Sequence, residues 1–244
     1  MPSDSNRPKQ NRYVAYFDML GFKTATLKNS AEAWGALSDL RRCMDEVSGI
    51  PIKIKNENVI LIDRIKIFIL ADSVLIFTAE DLEYDLVAIL MLTSELFAKA
   101  LYRCVPLRGA ITHGEFFYNL DLSIFGGVPF VCAYELEKSV QWSGIVVDDT
   151  VAERHKEVSI LKDVIIPWDV PLKNGTKERK QVVDWVRPHK ENFKKKPPIT
   201  VADYYRAFEK LFGPYSDLKS DVQAKYINTV DFINCLLTGS VVPV

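Results

Sequence analysis

The chain has 244 residues, of which 48% are apolar and 26% charged, with 31 Lys and Arg against 32 Asp and Glu for a formal net charge of −1. That mix fits a globular chain of one large domain, or one domain with an appended piece. A charge this near zero supplies no global basic field, so neither nucleic acid nor an anionic membrane is expected as a partner, although a local site can still be basic.

Residues 1–12 are polar, carry Pro2 and Pro8, and are expected to form a flexible tail rather than a signal peptide. Residues 13–17 (Tyr-Val-Ala-Tyr-Phe) read as a buried strand that stops at Asp18-Met19-Leu20-Gly21-Phe22, a carboxylate followed by a glycine turn. Residues 31–47 have helical spacing, with Trp34, Leu37, Leu40, Met44 and Val47 on one side. Two β-rich runs follow, 64–70 and 73–77, separated only by Ala71-Asp72, which predicts an antiparallel hairpin with Asp72 at its tip. A long helix is expected over 82–102, then a strand over 107–117, a short helix over 130–138 and a strand over 144–147. Runs 168–173 and 181–186 flank Asn174-Gly175 and read as a further hairpin. The order βαββαβαβ, with hairpins as well as crossovers, favours an α+β fold with a mixed or antiparallel sheet over a purely parallel one.

The basic, proline-containing stretch 187–199 is expected to be a solvated linker, and 200–244 a helical extension broken near Gly213-Pro214. The longest apolar stretch, 86–92, falls far short of the roughly 18 to 20 residues that span a bilayer, so no membrane crossing is expected. Cys43, Cys104, Cys132 and Cys235 are scattered without metal-ligand spacing, which leads to the expectation of free thiols in a reducing, cytoplasmic setting.

No Walker pattern, no G-x-G-x-x-G after a strand and no H-E-x-x-H is present, and His113, His155 and His189 are isolated. What remains is a pair of carboxylates, Asp18 and Asp72, each at the end of an apolar strand. Such residues serve either as turn formers and helix caps or as ligands, since carboxylates forced together repel and a divalent cation relieves the repulsion.

The segments in order resemble the class III nucleotidyl cyclases. Residues 16–22 are similar to that family's opening strand, an apolar run ending in Asp-Ile-x-Gly-Phe. Residues 66–77 look like its central hairpin with the second metal-binding Asp, and 107–115 (Leu-Arg-Gly-Ala-Ile-Thr-His-Gly-Glu) resemble its arginine-and-glycine strand. Gly126-Gly127, then Ala133 and Glu137, then 143–147 (Ser-Gly-Ile-Val-Val) follow the family's order of glycine, short helix and Gly-Ile strand.

The resemblance covers about 13–186 and implies a cyclase-like α+β domain, ferredoxin-like in derivation, with a mixed sheet and the C-terminal helices as an appendage. It implies that Asp18 and Asp72, with the backbone carbonyl of Met19, hold Mn²⁺ or Mg²⁺ against a nucleoside triphosphate. The ribose 3′-hydroxyl then attacks the α-phosphate and expels pyrophosphate. Lys173 is either a phosphate contact or an exposed hairpin lysine. The purine-reading lysine of adenylate cyclases would fall at Phe68, which either stacks on a base or is a core strand residue. The Asn and Arg that orient ribose and stabilise the transition state would fall at Val131 and Glu135, and neither can do that work. Arg108 or Arg64 is the expected substitute.

Loss of the purine-reading lysine and gain of an aromatic there resemble the pyrimidine cyclases of bacterial Pycsar antiphage systems. That implies conversion of UTP or CTP to a 3′,5′-cyclic mononucleotide that acts on a separate effector protein. One catalytic domain per chain implies a homodimer. The alternative is a catalytically inactive cyclase-like module that binds a nucleotide or a protein.

Overall fold

The computed structural model describes residues 10–49, 51–54, 57–60, 64–156, 158, 161, 164–187 and 197–239. Residues 1–9 of the expected tail and 188–196 of the expected basic linker lie outside them. The fold is α+β, built on one mixed sheet with strand order β4-β5-β1-β6-β8-β10-β9, to which β7 adds by pairing with β6.

Strand β1 (Gln10–Met19) opens three residues before the apolar run. Residues 10–12 are added by backbone pairing with 114–116, and the fully buried Arg12 donates to the carbonyls of Thr78 (2.9 Å) and Ala79 on the other side. β1 lies between β5 (Ser73–Thr78) and β6 (Leu107–Asn119), antiparallel to both. β4 (Ile65–Leu70) pairs with β5 through the tight turn at Ala71-Asp72, as the spacing predicts. Ala71 takes φ +58°, a conformation that favours glycine, so the turn is held by the pairing on either side of it.

β6 and β8 (Ile145–Val147) are parallel, joined by the crossover helix α4 (Val128–Ser139). β9 (Ile165–Pro171) and β10 (Lys177–Val183) form an antiparallel hairpin closed at Asn174-Gly175. Both of its strands begin a few residues before the apolar runs. The pairing carries Lys177 to Lys180 opposite Trp168 to Pro171, where backbone hydrogen bonds hold side chains that face solvent.

Alternation along β1 sorts the core into two faces. Tyr13, Ala15, Phe17 and Met19 enter the main core. Over them lie α2 (Ser30–Ser48) and α3 (Glu83–Tyr102), the latter buried on nearly every side. The same core receives Tyr204, Ala207 and Phe208 of α6 (Val201–Phe212) and Phe232, Ile233 and Leu236 of α7 (Ser220–Thr238). Val14 and Tyr16 point to the opposite face, where Ala133 of α4 packs on Tyr16 and Ala110, and Phe77, Phe116 and Tyr118 form an aromatic cluster.

Five elements carried no expectation. Helix α1 (Phe22–Lys28), strand β7 (Ile124–Gly127), helix α5 (Asp149–His155) and the hairpin of β2 (Pro51–Ile54) with β3 (Glu57–Ile60) are too short for a periodic signal to stand out.

Candidate functional site

The pairing of three strands brings the site together. Antiparallel neighbours place directly opposed residues on one face. Asp18 stands opposite Ser73 in β5 and opposite Arg108 in β6, so its carboxylate and the guanidinium project from the same side of the sheet. The turn before Ser73 holds Asp72, and Met19 N–H donates to the Asp72 carbonyl at 2.9 Å. Two acidic residues more than fifty positions apart thus meet at one end of adjacent strands.

Close packing fixes that end. A Cβ on Gly109 would fall 2.3 Å from the Phe17 ring and 2.6 Å from the Tyr16 carbonyl, so only glycine lets β6 approach β1 beside Arg108. The Tyr16 hydroxyl and Ser73 Oγ share a 2.6 Å hydrogen bond that ties β1 to β5 one step from Asp18.

The charges are organised around Arg108, which is 6% exposed. Its guanidinium pairs closely with Glu137 of α4, reaches the Asp18 carboxylate at 3.6 Å and donates to the Val140 carbonyl at 3.4 Å. Burial and the Glu137 carboxylate push the Asp18 carboxyl up to about 6; Arg108 opposes that rise and Asp72 adds to it. Burial also raises Glu137, against the pull of Arg108. The Lys173 ammonium is pushed down, first by burial and then by the charge of Arg108.

Lys173 arrives from the far side of the sheet. Its backbone N–H donates to Ser139 O at 2.9 Å and Leu172 bridges to Val140, which pins the β9–β10 turn to the end of α4. Through that contact its charge is felt at both Asp18 and Glu137. Asp18, Asp72, Arg108 and Lys173, four residues singled out from sequence, therefore share one end of the sheet.

Four others do not join them. Phe68 lies on the same face but packs on Phe77 (centroids 5.7 Å apart, nearly parallel) and on Phe125 (4.7 Å). Arg64 precedes β4 at its opposite end, where it pairs with the buried Asp85 at 2.8 Å and with Glu80 at 3.3 Å, so it cannot substitute at Asp18. Val131 and Glu135 are exposed, because Ala133 and Glu137 take the inward face of α4 and residues two positions away point outward.

Glu137 was legible only as a spacing landmark. Its signal is a carboxylate four residues after Ala133 on the sheet-facing stripe of a short helix, a position that demands a buried partner.

Asp18 and Asp72 bring carboxylate oxygens to one end of the sheet, the donor type that suits a hard divalent cation. The Asp18 carboxyl is raised first by burial and then by the charges of Glu137 and Asp72, a cost of ionisation that a bound cation would offset. Among the described residues no group of three or more His, Cys, Asp and Glu is arranged to hold a metal, and no helix is long and apolar enough to cross a membrane.

No family model and no curated protein matches the sequence. Among solved structures, the chain is similar to the catalytic core of a rhodopsin-guanylyl cyclase with converted specificity in complex with ATPαS, at 12% identity and TM-score 0.48, covering 72% of this chain and 95% of that one. It is also similar to adenylate cyclases from Trypanosoma brucei in their monomeric state, at 11% identity and TM-score 0.48, covering 77% of this chain and 94% of that one. A third likeness, to the Vibrio cholerae LapD S helix-GGDEF-EAL protein, has 13% identity and TM-score 0.34, covering 96% of this chain and 53% of that one.

Proposed function

We propose that the chain is a nucleotidyl cyclase that forms a 3′,5′-cyclic mononucleotide and pyrophosphate from a nucleoside triphosphate. The observation that carries this reading is the meeting of Asp18 and Asp72 at one end of β1 and β5, with Arg108 and Lys173 beside them. Asp18, Asp72 and the Met19 carbonyl would hold Mn²⁺ or Mg²⁺, which when bound neutralises triphosphate charge and lowers the pKa of a ribose hydroxyl. Arg108 is fixed by Glu137 and Val140, so it offers charge to the α-phosphate region without having to be ordered at the moment of reaction. Lys173 takes the phosphate tail. The turn at Ala71-Asp72 and the glycine contact at Gly109 set the separation of the acidic and basic groups.

The base is proposed to be a pyrimidine. Its support is the absence of a hydrogen-bond donor at Phe68, the position where the resemblance puts the purine-reading lysine. A homodimer, and an effector protein that responds to a cyclic pyrimidine nucleotide in antiphage defence, complete the reading. Incubation of the purified protein with Mn²⁺ and each of UTP, CTP, ATP and GTP tests it by the mass of the product. Cyclic UMP or CMP, lost in Asp72→Ala, supports the full proposal. Cyclic AMP or GMP keeps the cyclase and removes the pyrimidine. No cyclic product from any of the four removes the enzyme.

A second reading, a module that binds a nucleotide without turnover, draws on the outward placement of Val131 and Glu135 and on the engagement of Arg108 by Glu137. It predicts nucleotide-dependent thermal stabilisation with no product.

A further inference from the structure

The segment 139–143, between α4 and β8, is the meeting point of four parts of the chain. Arg108 donates to Val140 O, and Lys173 N–H donates to Ser139 O. From the other side comes α7. Asn228 Nδ2 donates to Gln141 O at 2.8 Å, Thr229 Oγ1 accepts from Ser143 N–H at 2.9 Å, and Gln141 Nε2 donates to Asp221 O at 2.7 Å. The turn of α7 that carries Asn228 and Thr229 is therefore clamped to the same few residues that seat Arg108 and Lys173, with Asp221 held two turns earlier.

Lys225 belongs to that turn. It lies three and four positions before Asn228 and Thr229, hence on the face of α7 that meets 139–143. Its side chain is 18% exposed, so the stem is laid against protein while its ammonium keeps an ion pair of 3.5 Å with the exposed Asp221. A pair so long and wet holds its partner weakly. The Lys225 charge is close enough to help depress the Lys173 ammonium, alongside burial and Arg108. Of the charges around Lys173, Arg108 and Lys225 repel its ammonium while Glu137 and Asp18 attract it, and a polyanion would add to that attraction.

We infer that Lys225 is a further phosphate-binding residue, which with Lys173 grips the tail of the triphosphate, so that the C-terminal helices complete the nucleotide site. This rests on the nucleotide reading above and extends it to a residue outside the cyclase-like segment. The second lysine reaches the ligand from α7, and its position depends on the hydrogen bonds of Asn228 and Thr229.

Titration calorimetry with magnesium tripolyphosphate isolates the phosphate tail from any question of base. Lys225→Gln is expected to weaken binding about tenfold and to flatten its salt dependence, because one phosphate contact is lost. Lys225→Arg keeps the charge and is expected to bind within about threefold of the wild type. Lys210→Gln removes the same charge from exposed Lys210 of α6 and is expected to change nothing. Wild-type binding that Lys225→Gln retains in full overturns this inference and leaves the nucleotide reading standing. Absence of binding by the wild type, to tripolyphosphate and to all four nucleoside triphosphates, overturns both.

Discussion

Asp18 carries an ionisation cost that can be measured without any substrate. Its carboxyl is lifted from 3.8 to about 6, chiefly by burial and then by Glu137. The folded, metal-free protein therefore holds this proton more tightly than the unfolded chain does. The resulting stability is full below pH 3.8 and is lost as pH rises through about 6. In a chelating buffer at pH 7.5, Asp18→Asn is expected to raise stability by roughly 1–2 kcal/mol, the full shift being discounted for partial exposure. At pH 3.5 the gain should vanish. Urea melts at the two pH values check this, and a destabilised Asn variant at pH 7.5 would show the carboxylate to be better paired than its surroundings indicate. Burial raises the Glu137 carboxyl as well, but truncating that side chain has the opposite effect on stability. Removing it strands the Arg108 guanidinium with only the 3.6 Å contact to Asp18 and one carbonyl, so Glu137→Ala is expected to cost about 3 kcal/mol. The double variant Arg108→Met/Glu137→Leu should recover most of that loss in the same melts. Asp18 and Asp72 could be picked out from sequence because each ends an apolar run. Glu137 was not picked out, since its signal, the four-residue spacing from Ala133, marks a role only once the sheet-facing side of the helix is known.

At the scale of elements, the acidic loop is fixed from outside the sheet by a contact no pattern foretells. Gly21, which caps α1 three residues after Asp18, has φ +78°, and a Cβ there would sit 2.6 Å from the Phe212 ring of α6. Gly21→Ala meets both the left-handed backbone and the ring, and is expected to cost about 2–3 kcal/mol. Because Phe212 must move, proteolysis should also open the 197–219 region faster than in the wild type. A variant with unchanged melting and digestion would sink the idea that α6 braces the loop. The hairpin β4–β5 and the helices α2, α3 and α4 were readable because each carries a periodic signal over many residues or a tight turn between two apolar runs. Elements of four to seven residues carry none, and β7 in particular exists only because β6 is long enough to offer it an edge.

For the molecule as a whole, the C-terminal helices share the main core. Phe232 of α7 packs on Trp142, Trp168 and Trp185 at centroid distances of 4.8, 5.2 and 5.9 Å, joining the loops before β8 and after β10 to β9. On the opposite side, Phe117, Leu122, Ile124, Val128 and Val131 are exposed along the β6–β7 hairpin and the outer face of α4. The homodimer proposed above would have these exposed apolar residues to bury. Sedimentation velocity at micromolar concentration is expected to give a dimer, and Val128→Asp a monomer with unchanged melting of the protomer. A monomeric wild type would remove the dimer from the proposal.

By itself the sequence determined the α+β class, the hairpin around Asp72, the carboxylates at two strand ends and the helical character of the C-terminal stretch. Each of these follows from local periodicity and turn chemistry, which act between residues close along the chain. Only the tertiary structure decided that Asp18 faces Arg108, that Glu137 rather than Arg64 is the charge beside them, that Phe68 lies among aromatic rings, and that α7 is hydrogen-bonded to the segment 139–143. Those are matters of register and burial, settled where strands and helices distant in sequence are pressed into one close-packed interior.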